Sequence, residues 1–312
     1  MEDIVTGKIK ILSPHSLNNK KILDELSYWL KVMERPQGWH YDMDMIWILE
    51  KLDNLNLKKG SYILDAGAGL GPLQYILAAR GYNIASLDFK KRKIPKEAKK
   101  IFNIKDSQGS NFSYKHSYQN FITLDKKKYS INLKNIFSIK KLLFFIKKKI
   151  FSIFYRSIER IKRNKINYGE IDFIQGAFHK LPFKDNCFDA VVSVSALEHA
   201  DISLFEENIK QMVRVAKNNS PVIITTSINN ADKDTFDEQT AGYCFSPTTL
   251  SKIDKDIIKK SKDYLSIEKL IIKSNIWKSR LDPYYFLNKN TPFYKKKIKK
   301  LPYLPIAIDL IK

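Results

Sequence analysis

The sequence predicts an α/β fold, a doubly wound sheet with helices between its strands. Three observations carry this expectation. Short apolar, β-branched runs recur along the chain, at Ile63–Leu64, Ile84–Leu87, Ile171–Ile174, Ala190–Val194 and Val222–Ile224. Stretches with helical spacing separate them, among them Leu73, Ile76 and Leu77 and a charge-rich run from Leu204 to Ala216. The first strand ends in an acid and a glycine-rich turn that opens a helix, Ile63-Leu64-Asp65-Ala66-Gly67-Ala68-Gly69-Leu70-Gly71-Pro72-Leu73.

At 312 residues the chain can hold one large domain, or a domain with an insert. Residues 1–58 read as a helical N-terminal cap or lid. Ile22, Leu23, Leu26, Trp29, Leu30 and Met33 recur at helical spacing until Pro36 and Gly38 end the run, and a second helix starts at Asp42 with Met45, Ile46, Leu49 and Leu52. The aromatic turn between them, Trp39-His40-Tyr41, has two readings. It packs the cap onto the core, or it closes over a site and keeps water out.

The glycine turn brings backbone N–H groups against a ligand at a helix N-terminus. A dinucleotide fingerprint needs Gly-x-Gly-x-x-Gly, and here the third position is Pro72. Asp65 at the mouth of the turn would repel a pyrophosphate and tolerate a cationic, amine-bearing ligand. The second strand, Asn83 to Asp88, again ends in an acid, suited to a ribose diol.

The formal charge of +22 is concentrated in residues 90–168, which hold 23 Lys and Arg against 4 Asp and Glu. Residues 99–168 read as a basic insert after the second strand. Its first part, to about residue 133, shows no clear period. Over 136–163, Ile139, Leu142, Leu143, Ile146, Ile150, Ile153, Phe154, Ile158 and Ile161 form a helical stripe among lysines, which predicts a basic amphipathic helix. Such a stripe either packs on the core or a second subunit, or rests on an anionic membrane surface. Strands resume at 171–176, 188–195 and 221–226, Ser246-Pro247 reads as a helix N-cap, and the tail offers strand candidates at 267–272 and 306–311.

A second block, Leu181-Pro182-Phe183-Lys184-Asp185-Asn186-Cys187-Phe188-Asp189-Ala190-Val191-Val192 followed by Leu197-Glu198-His199, stands beside the glycine turn. In this order the two blocks resemble the small-molecule branch of the class I S-adenosylmethionine-dependent methyltransferases. The resemblance covers residues 59–89 and 169–230, and it implies a Rossmann-like methyltransferase domain over 59–98 and 169–312. It also implies that Asp65, Ala66, Gly67 and Gly69 line the methionine part of S-adenosyl-L-methionine, that Asp88 holds the ribose hydroxyls, and that Phe89 flanks the adenine. Ser195 would face the sulfur side. Where the family often has an acid for the adenine amino group, this chain has Ala177, so recognition there falls to backbone groups near Ala177 and Phe178.

A base is needed when the acceptor is a hydroxyl. His199, just past the fourth strand, is the first candidate and His40 the second. No Cys/His cluster has metal-ligand spacing, so no metal is expected. The expected activity is methyl transfer to a small-molecule or glycan-type acceptor, lipid-linked if the basic helix reaches a membrane; the glycan class follows from the resemblance of the Trp39-His40-Tyr41 turn to proteins of bacterial surface-polysaccharide clusters. A nucleic-acid methyltransferase is the alternative the basic insert suggests. Against it, the fourth strand ends in Ser195-Ala196-Leu197-Glu198, without the Asn/Asp-Pro-Pro-aromatic motif that grips a base amine. A non-catalytic docking protein is a further alternative. With two cysteines, no secretory signal and no apolar run of spanning length, the expected location is cytoplasmic, peripheral at the inner membrane face if the helix binds lipid.

Overall fold

The computed structural model describes residues 7–35, 38–109, 139–163, 166–238, 240–287, 289 and 291–312. Its frame is an eight-stranded sheet. Strands β1 (Lys8–Ile11), β2 (Tyr62–Ala66), β3 (Asn83–Asp88), β4 (Asn103–Asp106), β5 (Glu170–Gln175), β6 (Ala190–Val194) and β7 (Pro221–Ile228) belong to it, and a hairpin of β8 (Thr235–Asp237) and β9 (Gly242–Cys244) stands apart. The last sheet strand is β10 (Leu304–Ile311), and the order is β1-β10-β7-β6-β2-β3-β5-β4. Strands β4 to β7, β2 and β3 run parallel, while β10 is antiparallel to both β7 and β1.

The chain reverses its direction of travel at β2. It steps to β3 on one side and later returns to place β6 on the other, with Asp65 paired to Ser86 on one flank and to Val192 on the other. In an open α/β sheet this switch point is where the strand ends diverge and a ligand fits. The glycine turn after β2 and the exit of β6 therefore share one crevice.

Helices α1 (Lys20–Met33) and α2 (Tyr41–Asn54) follow the N-terminal part. Helix α1 is amphipathic, with Ile22, Leu26, Trp29, Val32 and Met33 buried. Helix α2 is apolar on nearly every side and packs on β6, β7 and β10, so that even Asp42 and Asp44 are buried. Helix α3 (Leu73–Ala79) follows the glycine turn and covers β3 and β5, α4 (Lys96–Ile101) precedes β4, and α6 (Phe205–Val215) packs on β6. Between α4 and α6, helix α5 (Ile139–Arg163) is the basic amphipathic helix; the expectations for residues 110–138 lie outside the described residues.

Several local expectations are corrected. The tail stretch 267–272 is helical, inside α7 (Tyr264–Lys273), where Tyr264, Glu268 and Ile271 are buried at helical spacing. Two short strands join the sheet, one where none was expected and one in the part of the basic stretch read as loops with short strands. The first, β1, is added in the N-terminal part, and the second, β4, lies in the basic stretch, where Asn103-Ile104-Lys105-Asp106 is too polar to announce itself as an edge strand.

Candidate functional site

Gly67 (φ +76°) and Gly69 (φ +49°) adopt left-handed backbone that an L side chain resists. The amides of Gly67 and Ala68 both donate to the Leu87 carbonyl at 2.9 Å, which ties the turn to the end of β3. Crowding adds a second constraint at Gly67. A Cβ there would stand 2.3 Å from the Ala196 methyl and 2.8 Å from the Phe178 ring. The turn after β2, the exit of β6 and the loop after β5 thus meet at one glycine.

Asp88 closes the far side of the turn. Its two carboxylate oxygens accept from the amides of Gly69 and Lys90, each at 2.8 Å. The Gly176 amide donates to the Asp88 carbonyl (3.0 Å), and Gln175 Nε2 donates to the Phe89 carbonyl (3.1 Å). These bonds bring the segment of Ala177 and Phe178 against the end of β3. Ala177 is buried and bridges back to Lys180.

Beneath the turn lies a buried network that sequence reasoning missed. Arg92 donates to the Gly69 carbonyl (3.1 Å), to Ser86 Oγ (2.8 Å) and to the Ser86 carbonyl, with its guanidinium over the Phe173 ring. Ser86 Oγ in turn donates to Gln74 Oε1 (2.7 Å), and Gln74 Nε2 donates to the Gly71 carbonyl (2.9 Å). Arg92 reads in sequence as one more cation of a basic run, which is why nothing singled it out. Asp65 is buried beside this network. Desolvation pushes its carboxyl up to about 7, with Arg92 opposing the shift and Asp88 adding to it.

A second buried chain of polar groups starts at the exit of β6. Ser195 (φ +43°) is pinned by its amide to the Thr225 carbonyl (3.0 Å), and its hydroxyl donates to Asp44 Oδ2 (3.2 Å). The same Asp44 oxygen lies 2.6 Å from His40 Nδ1, and His40 Nε2 is 3.3 Å from the Tyr303 hydroxyl, which accepts from Trp39 Nε1 (3.2 Å). Burial raises the Tyr303 phenol well above its ordinary value. Trp39 is itself buried, in edge contact with Trp277 and Phe293. The sequence signal for this site is the spacing of His40 and Asp44, one helical turn apart at the start of α2.

His199 takes a different place. Its Nδ1 donates to the Ala241 carbonyl (3.0 Å), and its ring packs over Gly242 in the β8–β9 hairpin. Its neighbour Glu198 is buried and accepts from the Thr226 hydroxyl at 2.8 Å. The structure therefore gathers Asp65, Ala66, Gly67, Gly69, Asp88, Phe89, Ala177, Phe178 and Ser195 around the switch point. His40 joins them through Asp44 and Ser195, and His199 approaches from the hairpin side.

The residues present fit a ligand with an ammonium group and a vicinal diol. Gly69 leaves room where a Cβ would stand, next to Asp88, Asp65 is a buried acid that a cation would ionise, and Asp88 presents two acceptor oxygens. Among the described residues no group of three or more His, Cys, Asp or Glu could hold a metal, and no helix is long and apolar enough to cross a membrane.

Residues 151–224 match a family model described as a methyltransferase domain. No curated protein sequence matches the chain. Among solved structures, the chain is similar to the YcgJ protein of Bacillus subtilis, at 14% identity over 85% of this chain and 97% of that one, with a TM-score of 0.37. It is also similar to an S-adenosylmethionine-dependent methyltransferase of Methanosarcina mazei (12% identity, 84% and 96% covered, TM-score 0.40). A third likeness is to phosphoethanolamine N-methyltransferase 2 of Haemonchus contortus (13% identity, 96% and 58% covered, TM-score 0.43). At such scores none of the three bears on the fold, which rests on the strand order.

Proposed function

We propose, for a chain whose residues 151–224 match a methyltransferase-domain model, S-adenosylmethionine-dependent methyl transfer to a hydroxyl of a small-molecule or glycan-type acceptor. In this reading Asp65, Ala66, Gly67 and Gly69 hold the amino-acid end of the cofactor, Asp88 the ribose hydroxyls, and Phe89, Ala177 and Phe178 the base. When bound, the cofactor supplies a sulfonium methyl already activated for displacement. The chain's part is to orient the acceptor oxygen, exclude water and receive the proton that oxygen loses.

The observation that carries the proton assignment is the hydrogen bond of His40 Nδ1 to Asp44, in contact with Ser195 at the exit of β6. A carboxylate on Nδ1 fixes the tautomer, leaves Nε2 as the basic nitrogen and stabilises the imidazolium once the proton arrives. Tyr303, whose hydroxyl stands 3.3 Å from Nε2, relays that proton from the acceptor. A second reading assigns the base to His199, because its bond to the Ala241 carbonyl fixes a tautomer in the same way.

Isotope transfer from labelled cofactor into an extract of the host, followed by mass spectrometry, identifies the acceptor and gives the turnover assay. His40→Gln and Asp44→Asn are expected to lower turnover by about 10²-fold or more, the range of general-base loss, while calorimetric binding of S-adenosylhomocysteine stays within a few-fold. Gly67→Val should abolish that binding. Full turnover in His40→Gln with loss in His199→Ala would move the base to His199. Tighter binding of a nicotinamide dinucleotide would overturn the reading itself.

A further inference from the structure

Helix α5 is attached to the body by the wrong face for a core helix. The residues it buries are polar. Ser152 and Glu159 are each 1% exposed. Glu159 accepts from the hydroxyls of Tyr28 and Tyr168, and Arg156 Nε donates to the Val32 carbonyl at 2.7 Å. Arg163 donates to the carbonyls of Lys99 and Lys100, and Arg160 pairs with Glu97 of α4. The helix thus lies across the end of α1 and along α4 on hydrogen bonds and ion pairs, with Tyr155 in edge contact with Tyr28.

The opposite face carries the apolar residues and points outward. Ile150 is 62% exposed, Ile153 54%, Phe154 58% and Ile161 64%, with Phe151 at 44%. Ile150, Phe154 and Ile161 fall within about 40° of one another at 100° per residue, on the side opposite Ser152 and Glu159. Single exposed apolar residues are ordinary; five on one helix, on a side that also carries exposed Ser157, are not.

Charge decides what covers this row. Residues 139–163 hold nine Lys and Arg and one Glu. Lys149, Arg156, Arg160 and Lys162 pair with Glu34, Glu97 and Glu159, and Arg163 is bonded to α4 carbonyls, while α4 adds exposed Lys96, Lys99 and Lys100 alongside. A second copy of the chain would bring like charges face to face across a twofold axis. A nucleic acid would meet the cations and leave the Ile and Phe side chains in water. An anionic bilayer surface satisfies both halves of the pattern, taking the apolar row at the acyl boundary and the cations among its headgroups. We propose that the outward face of α5 docks the protein on an anionic lipid surface. The proposal stands apart from the transfer chemistry, because its readout is sedimentation rather than activity.

The full chain is incubated with vesicles of phosphatidylcholine alone and of phosphatidylcholine with phosphatidylglycerol, then centrifuged. Binding is expected to the anionic vesicles only, weakened by salt, and at least tenfold weaker in the double variant Ile150→Asp with Phe154→Asp. Both side chains already face water, so the variant's thermal unfolding should match the wild type and separate a docking effect from misfolding. Absence of binding overturns the proposal. So does equal binding by the variant, which would place the attraction elsewhere on the basic surface. A wild-type dimer, seen by light scattering, that the variant dissociates without any vesicle binding would assign the face to self-association instead.

Discussion

Asp65 is the residue on which ligand binding and pH meet. Burial raises its carboxyl to about 7, with Arg92 pulling the value down and Asp88 pushing it up. The sign follows from linkage. Between about pH 4, where an unfolded aspartate ionises, and about 7, the unfolded chain releases its proton first, so the unliganded fold loses stability as pH rises. A ligand ammonium beside the carboxylate reverses that penalty, since it binds the ionised form. Affinity for S-adenosylhomocysteine is therefore expected to climb by up to about tenfold per pH unit below 7 and to level off above it. Calorimetry across that range in wild type and Asp65→Asn checks this, and the variant should bind weakly with a flat profile.

Among the elements, α5 shows how far a hydrophobic pattern can be read. Its periodicity announces a helix, and the helix is there. The pattern does not say which face turns inward, because a buried acid with two phenol donors can seat a helix as firmly as a row of leucines. Glu159 is that seat: its two tyrosine partners come from α1 and from the approach to β5, and its proximity with burial holds both phenols far above their ordinary values. Glu159→Leu should leave Tyr28 and Tyr168 without an acceptor and cost about 3 kcal/mol, read from chemical denaturation. Other elements were legible for plain reasons. The parallel strands β2, β3, β6 and β7 are buried almost throughout and so read as short, mostly apolar runs, while β5 alternates, with Ile171 and Phe173 buried. The run at Ile267–Ile272 was misread because a short apolar run without flanking breakers fits either period. Asp44 and Arg92 stayed hidden because partners from other segments, Ser195 and the Gly69 carbonyl, give each its place.

For the molecule as a whole, the sheet is closed on one side by the last strand. β10 lies between β7 and β1, with Ile306 paired to both Thr226 and Ile11. Removal of residues 304–312 would expose β7 along its length and detach β1. The expected result is loss of cooperative thermal unfolding and of near-ultraviolet circular dichroism, whereas a truncated chain that still melts sharply would show the parallel strands to be self-sufficient. The site's glycine turn was legible because its geometry is local, a strand, a tight bend and a helix. The His40–Asp44 pair was only half legible, because its meaning comes from where α2 lands on β6 and β7.

The position of β10 also sets an order of events during synthesis. Lys8–Ile11 can take their partners only when Ile306–Asp309 have left the ribosome, and until then Pro221–Ile228 has an open hydrogen-bonding edge. At about 5–20 residues per second, the interval between those two stretches corresponds to roughly 4–15 s of translation. For that time a nascent chain carries an apolar strand with one unpaired edge, the kind of edge on which newly made proteins adhere to one another. Lys8–Ile11 and Pro221–Ile228 both wait for Leu304–Ile311, so the speed and place of translation bear directly on how much of this protein reaches its finished form.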